Sequence, residues 1–239
     1  MNKNWLIDKK FAHRGLHGSK NGCVENSLSA FNAAVINGYG FELDVLLSKD
    51  DKAMVFHDLT LDRLTDLGGK IITYNSDELI KFSLRNTKDK IPTLKNILSQ
   101  FSGKAPILIE IKGDQHHHLK IANAVWQDVK NYTGQYAIMS FFPEIIKYFK
   151  AEHPEVLSGL VATTNESEDL PKEFFDQEWQ IQLIIEKKID FLAYDIRALP
   201  NRVSTYCKEN KIPVLTWTVR TDGQIQQAKN HADTIIFEL

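Results

Sequence analysis

Short apolar runs alternate with amphipathic stretches along nearly the whole chain, and this alternation constrains the fold more than any other feature. The runs at residues 106–111 and 191–195 are examples, because each is followed by a segment with the residue spacing of a helix. Strands that alternate with helices in this way predict βα units and a parallel sheet. About eight principal strands alternate with helices, which is the number in a closed (β/α)8 TIM barrel, and one additional short strand lies near Met54.

The length of 239 residues fits one such barrel, and neither a linker nor a repeat divides the chain. We therefore expect a single domain over residues 1–239, with a doubly wound open α/β sheet as the alternative. The pattern ends after the predicted strand at residues 234–237 without another helical stretch. The barrel is thus expected to lack the closing eighth helix, and the first ten residues are candidates to cover part of that surface.

The composition argues against several classes of partner. Hydrophobic residues make up 43% of the chain and charged residues 25%, and the net charge of −2 gives no basic surface for nucleic acid. The chain contains neither an apolar run of signal-peptide length near Met1 nor one long enough to span a membrane. Cys23 and Cys207 are too few for a disulfide framework. We expect a cytoplasmic protein without stable membrane insertion or a nucleic-acid partner.

Acidic residues interrupt predicted strands that are otherwise apolar. Glu42 and Asp44 lie two positions apart on one strand, so their side chains point to the same face, and Glu110 lies near the end of another strand. Charged groups inside a core strand are costly unless they are paired or bound to a metal. Three carboxylates around one point would suit Mg²⁺ or Ca²⁺, which prefer oxygen ligands. The alternative is a buried ionic network with Arg14 and Lys112.

His13 and His57 each follow an apolar run, where a barrel strand is expected to end. The C-terminal ends of barrel strands carry the chemistry in this fold, and histidine can give or take a proton near neutral pH. Two histidines on opposite sides of a phosphorus atom could activate a nucleophile and protonate the leaving alkoxide. Arg14 and Lys112 would contact phosphoryl oxygens or only neutralise the acids. Hydrogen-bonded structural roles are the alternative for both histidines.

The ordered motifs of the chain resemble those of the glycerophosphodiester phosphodiesterase family. They run in the order His13-Arg14-Gly15, Glu25-Asn26-Ser27, Glu42-Leu43-Asp44-Val45, His57-Asp58, Ile91-Pro92-Thr93-Leu94, Leu108-Ile109-Glu110-Ile111-Lys112, Ser140-Phe141 and Trp217-Thr218-Val219. Each motif is short, but the ordered set covers nearly the whole chain and includes both histidines and all three acids.

The resemblance implies a TIM barrel that hydrolyses glycerophosphodiesters, which are small-molecule substrates, to glycerol 3-phosphate and an alcohol. It implies that His13 and His57 are the catalytic acid/base pair. The remaining roles that it implies are binding of one Mg²⁺ or Ca²⁺ by Glu42, Asp44 and Glu110, phosphate contacts by Arg14 and Lys112, packing of Trp217 on the glycerol moiety, and support of the site by Glu25 and Asn26.

Two positions depart from the family pattern. Arg220 stands where the family usually has Asn after Trp-Thr-Val, and the last strand ends in Phe237-Glu238 instead of the common Thr-Asp. The sequence leaves open whether Glu238 takes the place of that Asp. Both departures concern the rim and the closing segment, not the acid/base or metal-binding set.

Two other functions remain open at this stage. The same catalytic set would serve a phospholipase-D-like hydrolysis of lysophospholipids, provided that an apolar rim accepts an acyl chain. The candidates for that rim are Phe142, Phe174, Phe175 and Trp179. A non-catalytic phosphate-binding module is the third hypothesis, although it would be expected to have lost part of the set.

Overall fold

The computed structural model describes residues 3–18, 20–113, 116–167 and 170–238. Within these ranges the strands are β1 (Phe11–Ala12), β2 (Gly40–Leu47), β3 (Ala53–Val55), β4 (Ile107–Ile111), β5 (Tyr136–Ser140), β6 (Ser158–Ala162), β7 (Phe191–Asp195), β8 (Val214–Val219) and β9 (Thr234–Phe237). β1 pairs in parallel with both β2 and β9, which closes eight parallel strands into a barrel. The predicted TIM barrel is confirmed, and the additional strand near Met54 is β3, which pairs antiparallel with β2.

Helices lie between the barrel strands. Their bounds are α1 (Trp5–Asp8), α2 (Leu28–Ile36), α3 (Ser76–Leu79), α4 (Leu94–Gln100), α5 (His118–Val129), α6 (Pro143–Glu152), α7 (Gln177–Lys187), α8 (Arg202–Glu209) and α9 (Asp222–His231). Side chains of Ser27, Thr93 and Thr221 accept hydrogen bonds from backbone N–H groups in the first turns of α2, α4 and α9, which fixes where these helices begin. In the described part of the chain, no helix is long and apolar enough to cross a bilayer.

Successive residues of each strand face opposite sides of the barrel wall. The outward residues pack under the helices in one large core, which contains Leu43, Ile109 and Leu192. The inward residues form a second core inside the barrel, which contains Phe11, Leu108, Ala137, Met139, Val161, Phe191, Ala193, Leu215 and Ile236. Four acids share the inward alternation, namely Glu42 and Asp44 on β2, Glu110 on β4 and Asp195 on β7. Glu110 and Asp195 lie at or next to the last residue of their strands, and Asp44 is in register with Glu110.

The N-terminal helix α1 covers the end of the barrel at which the strands begin. Leu6 is fully buried and packs in the same cluster as the inward residues, and Trp5 contacts the Phe11 ring edge to face at 6.5 Å. Lys3 forms an ion pair with Asp190, the residue that precedes β7. The first residues therefore cover the N-terminal mouth of the barrel instead of the outer surface where an eighth helix would lie. In the described chain no helix follows β9, and Leu239 lies outside the described residues.

The segment between β3 and α4 folds into a small unit with its own apolar cluster. The cluster comprises Leu46, Met54, Phe56, Leu61, Leu64, Ile71, Leu79, Leu84 and Ile91. Its only regular structure within the described residues is the short α3 and a single 3-10 turn at Ile71–Thr73. This unit holds the residues after His57 beside the C-terminal mouth of the barrel.

Candidate active site

An open cavity of about 310 Å³ lies at the C-terminal mouth of the barrel. Its walls are His13, Arg14, Glu42, His57, Glu110, Lys112, Met139, Phe141, Asp195, Arg197, Trp217, Thr218, Arg220 and Ile236. Both histidines, two of the three acids and both expected phosphate contacts therefore meet in one cavity, and Asp44 lies directly behind it on β2.

The register of two neighbouring strands brings the three carboxylates together. Asp44 on β2 lies opposite Glu110 on β4, and Glu42 precedes Asp44 by two positions on the same face. Oxygen atoms of the three residues lie within 4.8 Å of one another. Glu42 Oε1 and Asp44 Oδ1 are buried and have no hydrogen-bond partner among the described residues. Buried carboxylate oxygens that converge and receive no hydrogen bond are the ligands that a hard divalent cation requires.

The surrounding charges shift the pKa values of Glu42 and Asp44 in opposite directions. Burial raises the pKa of Glu42, and the negative charges of Asp44 and Glu110 raise it further, so that it lies well above its ordinary value. Burial alone would also raise the pKa of Asp44, but Arg14 and Lys112 hold it well below its usual range. The ionic network with Arg14 and Lys112 is thus present, yet it leaves Glu42 Oε1 and Asp44 Oδ1 without a hydrogen bond from the described residues.

Arg14 and Asn26 fix the orientation of the acids on β2. The turn after β1 places Arg14 at φ 55°, so that its backbone N–H donates to Glu42 Oε2 at 2.9 Å. Asn26 Nδ2 donates to Asp44 Oδ2 at 2.9 Å, and Asn26 Oδ1 accepts from the Asp44 backbone N–H at 3.3 Å. Glu25 accepts from Arg14 Nη1 at 2.8 Å. Glu25 and Asn26 thus lie beside the acids of β2 and contact Arg14 and Asp44, respectively.

A carboxylate holds His57 from behind. His57 Nδ1 lies 2.6 Å from Asp58 Oδ1, and Asp58 Oδ2 accepts from Arg63 Nε at 2.6 Å. Burial raises the pKa of Asp58, but the hydrogen bonds from Arg63 and His57 bring it below its ordinary value. Because an ionised carboxylate only accepts hydrogen bonds, the proton lies on Nδ1 and Nε2 is left for the cavity. Arg63 also donates to Glu25 at 2.7 Å, which links the two sides of the mouth.

His13 also has a carboxylate partner, which is Glu238. Its Nδ1 lies 2.6 Å from Glu238 Oε1, and its backbone N–H donates to Phe237 O at 2.9 Å. Burial lowers the pKa of His13, against the opposing effect of the hydrogen bond to Glu238. Sequence reasoning did not identify Glu238 as this partner, although it singled the residue out as a departure from the family pattern.

Lys112 and Trp217 complete the walls. Lys112 Nζ lies 3.1 Å from Glu110 Oε1 and 3.7 Å from Asp44 Oδ1. Burial would lower the pKa of Lys112, but these two carboxylates raise it, so the ammonium is retained. Trp217 donates from Nε1 to Ala193 O at 2.9 Å and meets Phe141 edge to face at 5.8 Å, which exposes its indole to the cavity.

Other polar strand residues have structural partners. Ser140 is fully buried and donates to Ile111 O at 2.7 Å. Asp195 is held by Arg197 and by Asn165 Nδ2 at 3.0 Å, so it shapes the wall without a free oxygen pair. Of the expected apolar rim, Phe142 and Trp179 both contact Phe174, whereas the cavity wall contains Phe141 and Trp217.

Comparison with known proteins agrees with this geometry. The model of the glycerophosphoryl diester phosphodiesterase family matches residues 13–237. A relative from Caldanaerobacter subterraneus, named glycerophosphodiester phosphodiesterase, is 29% identical over 236 residues, which cover 94% of this chain and 91% of the relative. YhdW of Bacillus subtilis is also 29% identical, over 167 residues that cover 64% of this chain and 65% of YhdW, just under two thirds of its length.

A solved structure has the same fold at lower identity. A phosphodiesterase from Oleispira antarctica, in complex with the product sn-glycerol 3-phosphate, is similar with a TM-score of 0.81 and 22% identity. The similarity covers 98% of this chain and 94% of that protein.

Proposed function

The chain belongs to the glycerophosphoryl diester phosphodiesterase family, and from that membership we propose that it hydrolyses glycerophosphodiesters to glycerol 3-phosphate and an alcohol by two-histidine acid/base catalysis. The observation that carries the proposal is the pair of carboxylate-backed histidines, His13 and His57, in one cavity with three convergent acids. The glycerol 3-phosphate complex of the Oleispira antarctica protein supports the same substrate class. We also propose that one barrel domain carries the whole reaction.

Each histidine has its Nδ1 occupied by a carboxylate, so Nε2 is the atom available to the substrate. One Nε2 takes the proton from the nucleophile, and the other Nε2 donates a proton to the leaving alkoxide. The nucleophile is either water, which gives glycerol 3-phosphate directly, or the neighbouring glycerol hydroxyl, which gives a cyclic phosphate that water then opens to glycerol 3-phosphate. Arg14 and Lys112 supply positive charge to the phosphoryl oxygens. Trp217 offers its ring face to the glycerol carbons.

Glu42, Asp44 and Glu110 would hold a divalent cation, Mg²⁺ or Ca²⁺, because their oxygens converge and two of those oxygens lack donors in the described structure. When bound, the cation supplies polarisation of the phosphate and neutralisation of its developing charge. The residues of the chain then have to hold the diester between the two histidines.

Addition of Mg²⁺ or Ca²⁺ to chelated protein is expected to raise the melting temperature. A cation at about 100 times its Kd stabilises the folded state by about 2.7 kcal/mol. For a chain of this size that corresponds to an increase of about 5–10 °C, measured by differential scanning fluorimetry. The Glu42→Gln variant, which removes one ligand charge, should lose this increase. Equal increases in both proteins would place the cation elsewhere.

Glycerophosphocholine is expected to be a better substrate than lysophosphatidylcholine by at least about tenfold in kcat/KM. An acyl chain gains binding energy only where it leaves water, at about 0.8 kcal/mol per methylene. Most residues that line the cavity are charged or polar, and Phe142 and Trp179 already pack on Phe174. Release of glycerol 3-phosphate and of lysophosphatidic acid can be compared by mass spectrometry. Faster lysophosphatidylcholine cleavage would favour the lysophospholipid function instead.

A cytoplasmic location remains part of the proposal. Its support is the cysteine chemistry, since Cys23 and Cys207 are both free thiols. Burial raises the pKa of the Cys207 thiol to about 12, which keeps it protonated and unreactive.

A further inference from the structure

The two residues that depart from the family pattern pair with each other. Arg220 Nε donates to Glu238 Oε2 at 2.6 Å, and the other oxygen of the same carboxylate lies 2.6 Å from His13 Nδ1. His17 Nε2 lies 3.8 Å from that oxygen, which is too long for a hydrogen bond. An ion pair and a hydrogen bond therefore connect Arg220 at the rim of the cavity, through Glu238, to the buried imidazole of His13.

Backbone hydrogen bonds fix the positions of both His13 and Glu238. The N–H of His13 donates to Phe237 O at 2.9 Å, and the N–H of Glu238 donates to Val219 O at 3.0 Å. Burial would raise the pKa of Glu238, but the hydrogen bonds from His13 and Arg220 keep it well below its usual range. Glu238 is consequently ionised and can only accept a hydrogen bond, so the proton between it and His13 lies on Nδ1.

We propose that Glu238 is a positioning residue that keeps His13 in the tautomer with Nε2 directed to the substrate. Arg220, through its ion pair with Glu238, sets the strength of the hydrogen bond between Glu238 and His13. The inference rests on the proposed function, in which His13 is one of the two acid/base groups. A carboxylate behind a catalytic imidazole fixes its orientation and tautomer, and this effect has a large influence on turnover in other enzymes.

A metal site is the competing use of the same groups. Donor atoms of His13, His17 and Glu238 lie within 4.8 Å of one another, and two histidines with a carboxylate also suit zinc. Arg220 argues against it, because its guanidinium contacts Glu238 directly and would repel a second cation. Glu238 Oε1 is also already engaged by His13 Nδ1.

The charges that face His13 predict opposite effects of the two substitutions. Asp44 and Glu238 raise the pKa of His13, whereas burial and Arg14 lower it. Glu238→Gln removes a negative charge, so the pKa of His13 should fall further. Arg220→Gln removes the positive charge that offsets Glu238, so the pKa of His13 should rise.

The first test compares pH profiles of kcat/KM. The limb of the pH profile that reports His13 is identified by its loss in His13→Ala. This limb should move to lower pH by on the order of 1 unit in Glu238→Gln, and to higher pH by a smaller amount in Arg220→Gln. Glu238→Gln should also lower kcat by at least about tenfold, up to the loss in His13→Ala. Glu238→Asp, which keeps the charge, should recover part of this loss. Glu178→Gln, at an exposed ion pair with Arg202, is the matched control and should leave the profile unchanged.

The second test separates this inference from the proposed function. The double variant His13→Ala/Glu238→Gln should be no slower than His13→Ala alone, because a positioning residue has no effect once its histidine is gone. The ¹⁵N chemical shifts of His13 should report protonated Nδ1 in the wild type and a mixture of tautomers in Glu238→Gln, independently of any activity.

Wild-type kcat in Glu238→Gln with an unmoved pH profile would overturn the assignment, as would additive losses in the double variant. Normal turnover of His13→Ala would instead remove the proposed function. In that case the ¹⁵N shifts would still decide whether Glu238 sets the tautomer.

Discussion

Substitution of His13 or His57 by alanine is expected to reduce kcat/KM by about 10²–10⁴-fold, which is the usual contribution of a positioned acid/base group. The two losses should not multiply in the double variant, because the histidines act in the same proton-transfer sequence. The fold should persist, since both rings line the cavity at the mouth of the barrel. The measurement is steady-state release of glycerol 3-phosphate, together with circular dichroism and the melting temperature.

His231→Ala is the matched control for these variants. This residue lies in the last turn of α9, away from the cavity walls. It should retain wild-type kcat/KM, which would show that loss of an imidazole as such is harmless. Near-normal turnover of either His13→Ala or His57→Ala, with the fold intact, would contradict the acid/base assignment.

Glu42→Gln is expected to lower activity strongly without lowering the stability of the chelated protein. Loss of one cation ligand should lower kcat/KM by about 10³-fold or more, because a bound metal contributes several kcal/mol to the transition state and each 1.36 kcal/mol is tenfold. The chelated variant should melt no lower than the chelated wild type. The substitution removes a fully buried carboxyl group that Asp44 and Glu110 disfavour in its charged form, and the amide oxygen can still accept from Arg14 N–H.

Chelation provides the comparison for this variant. EDTA should bring the wild type close to the activity of Glu42→Gln, and added Mg²⁺ or Ca²⁺ should restore only the wild type. Glu178→Gln, far from the cavity, should respond to EDTA as the wild type does. Full turnover of the wild type in EDTA would remove the cation from the proposal.

The sequence predicted the site best where a charged side chain lies in a buried strand and therefore has few possible environments. Glu42 and Asp44 lie in the fully buried strand β2, and such residues must be paired or coordinated, so their spacing predicted a common face. His13 and His57 could be placed at strand ends because the apolar runs before them are short and well bounded. The closed barrel followed from the number of βα units, which periodicity reveals directly.

Contacts between distant parts of the chain could not be predicted in the same way. His13 and Glu238 are 225 positions apart, and no local pattern relates them. The cluster after β3, with Leu61, Leu64 and Leu84, was missed because its backbone has little regular periodicity. Of the predicted apolar rim, Phe142 does not line the cavity, whereas its neighbour Phe141 does. Phe141 and Phe142 are adjacent, and the strand end turns the first into the cavity and the second toward Phe174.

Closure of the barrel by β9 has a consequence for how the protein is made. At about 5–20 residues per second, a ribosome needs on the order of 10–45 s to travel from His13 to Glu238. Once Glu110 has been added, the nascent chain contains the first histidine and all three carboxylates, but not yet the strand that joins β1 to β8. Incomplete translation products therefore lack the hydrogen bonds of His13 to Phe237 and Glu238. The last strand to leave the ribosome both completes the sheet and organises one side of the reaction centre.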